Sequence, residues 1–351
     1  MKHFARFVAI VAAFLLLFSA YGGRVDPNVW NLPALATLAL PAVALIALVV
    51  LALLAIFRQW KACAVIVGAL LLSWPTLRLI SPVNLFNSKA DSAKTQLTVL
   101  TMNVEEFNWQ DGNSKPSKSM RYILDQDADI VVIQEGLVYF PFEKLEKVKP
   151  MLSELYKKYP YRKKHYYDVG ILSKYPFEEV ESPALAKDTL NYFIKAWDVE
   201  APGGDLRVVN MHLSSMRLNK NDNRIIESMN KPSGRKQRAK SVLKKLMGGF
   251  RSHVRQAQAV RQLLDDTAGD VLVMGDMNET PGSYAYRTVC GDDLRDAWAD
   301  AGLGPTYTFN NNHLYVKIDH ILYRGDMKVL SCRRDKEGES DHYPLVAVFE
   351  R

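Results

Sequence analysis

Residues 271–281 read VLVMGDMNETP. Four apolar residues, the run of a strand buried on both faces, meet Gly275 and then present Asp276, Met277 and Asn278 before a turn. Strand residues two apart point to the same side, so the acid and the amide leave the strand's end together. That is where a rigid scaffold hands over to a functional loop. Gly, Asp and Asn also favour plain turns, so the decision falls to the rest of the chain.

The pattern recurs. Apolar runs of strand length stand at 96–104 (QLTVLTMNV), 128–135 (ADIVVIQE), 168–176 (DVGILSKYP), 192–201 (YFIKAWDVEA), 205–214 (DLRVVNMHLS), 315–323 (YVKIDHILY), 327–334 (MKVLSCRR) and 343–350 (YPLVAVFE). Helical patterns lie between them at 118–126, 142–158 and 236–265. Strands outnumber helices, and many are continuous rather than alternating, which predicts two packed sheets with helices outside. No internal repeat is present. Polar groups interrupt the strands near their ends: Asn103, Glu135, Asn210 and His212 two apart, Asp276 and Asn278 two apart, Asp319 with His320, and Ser340–Asp341–His342. One such interruption is a turn, whereas a series of them along one domain is a site. The three cysteines have no metal-type spacing, so any metal here is held by oxygen and nitrogen. Carboxylate and amide oxygens suit a hard cation such as Mg²⁺, which keeps waters and a substrate phosphate as further ligands.

The ordered set TMNV, VIQE, NMHL, GDMN, KIDHIL and SDHYPL resembles the endonuclease/exonuclease/phosphatase superfamily, over residues 96–351. That superfamily includes deoxyribonucleases, neutral sphingomyelinases and inositol polyphosphate phosphatases. The resemblance implies an α+β fold, a four-layer αββα sandwich of the deoxyribonuclease type, and hydrolysis of a phosphoester with Mg²⁺ or Mn²⁺. It implies Glu135 as the main metal carboxylate, with Asn103 beside it and Asp341 as a second acid on the metal side. His342 becomes the base or a phosphate-contacting imidazole oriented by Asp319, Asp276 positions the attacking water, and Asn278 donates to the phosphoryl oxygens. His212 resembles the second histidine, Asn210 is structural or an orienting neighbour, and His320 stands where relatives often carry an aromatic residue. The substrate it implies is a phosphodiester, in nucleic acid or a phospholipid headgroup. A phosphomonoester of a lipid or inositol is the alternative, and a catalytically idle, membrane-tethered binding module is a third reading.

Residues 1–80 lie outside the resemblance and form a membrane anchor of about three spans, followed by a polar linker at 81–95. Apolar runs occupy 7–20, 32–57 and 62–77, the last extending to Ile80 if Arg78 snorkels. The first reads as a span or as a signal peptide. Lys2 and Arg6 before it, and Arg58 and Lys61 in the turn between the other two, place those ends in the cytoplasm and the catalytic domain outside the cytoplasmic membrane. Arg78, Lys89 and Lys94 pull the other way. In such a compartment Cys290 and Cys332 have the option of pairing. Residues 217–255 hold twelve Lys or Arg against Asp222 and Glu227, in a chain whose net charge is only +7. Three readings stay open for this run: a solvated face, a patch for anionic headgroups, or a grip on a phosphate backbone. Leu243, Leu246, Met247 and Phe250 interleave with it at helical spacing.

Overall fold

The structure, a computed structural model, describes residues 2–86, 90–108, 117–136, 149–164, 168–186, 190–216, 235–311, 314–336 and 339–351. Its contacts divide the chain into two compact units: Met1–Ser81 with Ser215–Ala257 and Thr280–Thr288, and Pro82–Ser214 with Gln258–Glu279 and Val289–Arg351.

In the first unit, four apolar helices run from Lys2–Tyr21 (α1), Leu32–Leu38 (α2), Leu40–Ile56 (α3) and Trp60–Ile80 (α4). Small residues let them approach closely: Ala5, Ala9, Ala13 and Ala20 of α1 are buried in one cluster with Ala62, Cys63, Ile66 and Ala69 of α4. Tyr21 Oη donates to the Leu72 carbonyl at 2.6 Å and Thr76 Oγ1 to the Ala20 carbonyl at 2.9 Å. The outward faces carry exposed Phe4, Phe7, Leu45, Ile46 and Leu71, an apolar exterior suited to lipid. The run at 32–57, expected as one span, is broken at Ala39 with a bend of 66°. Pro41 explains the break, since it has no N–H to give and its ring meets the carbonyl four residues back. Among the described residues, two helices are long and apolar enough to cross a membrane, or three if the bent pair is one span.

The second unit is built on two six-stranded sheets. The strands are Gln96–Asn103 (β1), Ile130–Gln134 (β2), Tyr161–Lys164 (β3), Val169–Ser173 (β4), Phe177–Glu179 (β5), Ile194–Ala201 (β6), Gly204–His212 (β7), Asp270–Asp276 (β8), Arg295–Asp296 (β9), Phe309–Asn311 (β10), Leu314–Val316 (β11), Asp319–Arg324 (β12), Lys328–Arg334 (β13) and Leu345–Glu350 (β14). One sheet has the order β13-β14-β1-β2-β4-β3, the other β5-β6-β7-β8-β12-β9, and β10 and β11 form a separate ribbon. Only β1·β2 and β7·β8 are parallel pairs among the described strands. The inner faces meet in one core, with Leu97, Val99, Val132 and Ile171 from the first sheet and Trp197, Val208, Leu272, Met274 and Ile321 from the second. Outside the first sheet, Met102, Val131 and Ile133 pack with Ile123 and Leu124 of helix Lys118–Gln126 (α5) and Leu152 and Leu155 of helix Lys149–Lys158 (α6). Residues 142–148 of the helix expected at 142–158 lie outside the described residues. Helix Arg235–Asp265 (α7) ends in this unit, where Arg324 donates to the Leu264 carbonyl at 2.8 Å. Of two short helices further along the chain, Tyr284–Cys290 (α8) begins in the first unit and Ala297–Ala301 (α9) lies in the second. The expected α+β sandwich of two sheets is what the chain forms.

The run at 315–323, expected as one strand, is two. Thr308 Oγ1 accepts from the backbone N–H of both Ile318 and Asp319 at 3.0 Å, so those groups leave the ladder and β12 begins afresh at Asp319. Cys290 and Cys332 form no disulfide, and burial pushes the Cys332 thiol up to about 12.

Candidate active site

Strand register assembles the site. On adjacent strands His212 lies opposite Asp276 and Asp276 opposite Asp319, so three ends of the second sheet deliver three polar side chains in a row. In the first sheet Asn103 lies opposite Gln134, with Glu135 one step beyond the ladder. Close strand approach is what Gly275 permits: a Cβ there would sit 2.0 Å from the Met211 carbonyl oxygen, and its φ is +132°.

Asp276 is the hub. Its Oδ2 lies 3.6 Å from His212 Nε2, 3.7 Å from His342 Nε2 and 3.3 Å from Asn103 Nδ2. Each histidine is held from behind by its other ring nitrogen. His342 Nδ1 pairs with Asp319 Oδ2 at 3.0 Å and His212 Nδ1 with Asp168 Oδ2. Phe309 meets the His342 ring edge-on with centroids 5.0 Å apart. A carboxylate on Nδ1 fixes the tautomer and leaves Nε2 to face the reacting group. Burial lowers the pKa of both imidazoles, but the surrounding carboxylates outweigh it. Asp319, Asp276 and Asp341 push His342 up to about 10, and Asp168, Asp276 and Glu135 push His212 up to about 9. Asp276 is raised by burial and by Asp319 and drawn down by His342 and His212, ending at about 6.

Asn278 has a left-handed φ of 49°, which Asn tolerates better than most residues. Its backbone N–H donates to Asp276 Oδ1 at 2.7 Å, and its Nδ2 donates to the Leu213 carbonyl at 2.9 Å and to Asp276 Oδ2 at 3.4 Å. Both amide hydrogens are therefore directed at protein acceptors, and the side chain clamps Asp276.

Beside the hub lies a second group of acids. Glu135, also left-handed at φ 52°, accepts from Asn103 Nδ2 at 3.0 Å and lies 3.7 Å from His212 Nε2. Glu105 receives the Asp341 N–H at 3.3 Å, and its own N–H goes to Asn103 Oδ1 at 3.1 Å. Burial, then the nearby Asp341 and Glu135 charges, raise the Glu105 pKa. Three successive residues here, Glu105, Glu106 and Phe107, have φ between 43° and 53°. Non-glycine residues held this way are strained and concentrate at functional sites. The Glu106 N–H donates to the Glu135 carbonyl at 2.8 Å, which ties this turn to Glu135.

All eight residues singled out for the site (Asn103, Glu135, His212, Asp276, Asn278, Asp319, Asp341 and His342) belong to this assembly. Asn210 lies just behind it, fully buried between the sheets: its Nδ2 donates to the Ile133 and Gly170 carbonyls at 3.0 and 2.9 Å, and its Oδ1 accepts from Gln134 at 2.6 Å. His320 faces elsewhere, accepting from Lys317 Nζ at 2.8 Å and donating to the Glu279 carbonyl at 3.0 Å; burial and Lys317 lower its pKa. The sequence reading missed Asp168 and Glu105. Asp168 begins an apolar run rather than ending one, but β4 is antiparallel to β2, so its start lies at the same sheet edge as Glu135. Glu105 stands two residues after Asn103, the spacing that had marked Asp276 and Asn278.

The profile of the endonuclease/exonuclease/phosphatase family matches residues 100–342, and that of a domain of unknown function matches residues 2–80. Among solved structures, TDP2 of D. rerio complexed with single strand DNA product is similar at 16% identity, covering 74% of this chain and 100% of that chain with a TM-score of 0.49. The endonuclease/exonuclease/phosphatase of Bacteroides vulgatus is 18% identical, covering 73% of this chain and 99% of that one with a TM-score of 0.48. No curated protein matches the chain.

Proposed function

From a chain that belongs to the endonuclease/exonuclease/phosphatase family, whose members are divalent-metal-dependent hydrolases of phosphoester bonds, we propose a membrane-anchored phosphodiesterase acting on nucleic acid or a phospholipid headgroup. The observation that carries this reading is the convergence of His212 Nε2 and His342 Nε2 on Asp276 Oδ2 beside a crowded group of acids.

The donor set fits a hard cation. Glu135, Glu105 and Asp341 with the Asn103 amide would present oxygen atoms, and the burial and neighbouring Asp341 and Glu135 charges that raise the Glu105 pKa are what a bound divalent ion would offset. Mg²⁺ or Mn²⁺ is our choice. Asp276, Asp319 and His342 also bring one ligand atom each within 4.8 Å of one another. A cation there would displace the His342–Asp319 hydrogen bond and face two imidazolium rings, so the acids around Glu135 are the better holders. When bound, the ion neutralises the anionic diester and lets a nucleophile approach.

The chain's own residues supply the rest. Asp276 remains largely ionised at neutral pH and takes the proton of the attacking water at Oδ2. His342 and His212 carry charge at that pH and donate through Nε2 to the phosphoryl and leaving oxygens, where negative charge grows. Asp319 and Asp168 keep the two rings in register, and Asn278 keeps Asp276 in place. The experiment is a screen of the full chain in detergent with Mg²⁺ against DNA, RNA, phospholipids, bis(p-nitrophenyl) phosphate and the monoesters p-nitrophenyl phosphate and inositol phosphate. Hydrolysis of at least one diester is expected. Hydrolysis confined to p-nitrophenyl phosphate and other monoesters would overturn the diester assignment.

We also assign residues 1–80 as the anchor and 96–351 as the catalytic domain, with the intervening segment at 81–95 as linker. The catalytic domain is assigned to the outside of the cytoplasmic membrane.

A further inference from the structure

The basic run singled out in the sequence is not used by the site. Residues 217–234 of it lie outside the described residues, and the remainder forms α7. From Arg235 to Leu264 this helix contains no acid. Lys240, Lys244, Arg251 and Arg255 are exposed. Their spacings of four, seven and four residues place them within about 60° of one another around the helix, along roughly 22 Å of its length. On the opposite side His253 and Gln256 are buried, and Phe250, Val254 and Ala257 are buried on one flank, so the stripe has a fixed outward direction. Leu243, 41% exposed, adds an apolar contact at the stripe's edge. Residues Ser215–Ala257, which carry the whole stripe, belong to the same compact unit as the apolar helices α1–α4.

We propose that this stripe binds the anionic headgroup surface of the bilayer that holds α1–α4. A row of cations on an amphipathic helix is the electrostatic complement of such a surface, and membership in the anchor's unit favours lipid over a nucleic-acid backbone. Four cations at an anionic surface shift the docking equilibrium by roughly a thousandfold, and added salt weakens the effect. The inference stands apart from the chemistry assigned to the active site.

The test uses the full chain in nanodiscs, with a bimane label on S241C and C290S removing the one half-exposed native thiol. Nitroxide-headgroup lipid quenches the label when the stripe is docked. Discs of phosphatidylcholine with phosphatidylglycerol are expected to quench, and discs of phosphatidylcholine alone are not. The K240Q/K244Q/R251Q/R255Q variant and high salt should each abolish quenching, while K240R/K244R/R251K/R255K, which keeps the charges, should retain it. Equal quenching in wild type and the Gln variant, or in the two kinds of disc, would overturn the proposal. So would a Gln variant that keeps headgroup contact but loses a fluorescein-labelled single-stranded oligonucleotide, since the stripe would then be a nucleic-acid surface. The Gln variant should hydrolyse bis(p-nitrophenyl) phosphate at the wild-type rate, and a parallel loss of hydrolysis would overturn the separation from the site.

Discussion

Asn210→Ala tests how the two sheets hold the site. Asn210 is fully buried and makes three hydrogen bonds, of 3.0 and 2.9 Å to the Ile133 and Gly170 carbonyls and of 2.6 Å from Gln134. Alanine leaves two carbonyls of the opposite sheet and one amide without their partner. An unsatisfied buried group costs about 1–3 kcal/mol, so the loss should be roughly 3–6 kcal/mol after partial relaxation. That corresponds to a rise of roughly two to four orders of magnitude in the opening constant of this region. Because the chain has two compact units, a single melting temperature mixes them, and amide hydrogen exchange of β2 and β7 is the better assay. Protection of those strands should drop by that factor while α5 and α6 change less. Turnover should fall as well, since Glu135 and His212 sit at the ends of the strands that Asn210 joins. Unchanged protection in β2 and β7 would refute the idea that this amide locks the sheets.

Three further outcomes are expected. Asp168→Asn should lower turnover by roughly 10²-fold or more, within the range for a disabled acid–base group, and by less than His212→Ala, because the imidazole stays in place; equal rates for Asp168→Asn and wild type would remove Asp168 from the site. Glu179 is raised by burial but held below the usual carboxylate range overall by Lys163 and Lys195, so its stabilising contribution is present above its unfolded pKa and lost as pH falls through its lower native value; Glu179→Gln should flatten the acid limb of β5–β6 exchange protection, and an unaltered limb would argue against it. A reporter active only outside the cytoplasm, fused after Arg351, should be active, with signal from the cytoplasmic side alone reversing the topology.

Much of this architecture was legible because each buried strand announces itself by composition. The runs at 96–104, 128–135 and 270–278 fold as β1, β2 and β8, and their polar ends meet as their positions required. What the sequence hid depends on pairing. Asp168 opens β4, and only the antiparallel β2–β4 register brings a strand's beginning to the edge where Glu135 ends. Asn278 looked free to reach a phosphate, yet its left-handed backbone turns the amide back onto Asp276 and Leu213. The two-residue strand β9 and the three-residue strands β5, β10 and β11 carry too few residues for any periodicity. The bend at Ala39 was signalled by Pro41, but a hydropathy run reports length and not direction.

The most direct measurement is turnover of bis(p-nitrophenyl) phosphate by the full chain, wild type beside Asp276→Asn, with metal removed and then restored. Asparagine keeps the shape of Asp276 and removes the charge on which both imidazoles converge. The account predicts that wild-type turnover vanishes in EDTA and returns with Mg²⁺ or Mn²⁺. It also predicts that Asp276→Asn remains slower by roughly 10²–10⁴-fold at saturating metal. Undiminished wild-type turnover in EDTA, or an Asp276→Asn variant as fast as wild type, would contradict it.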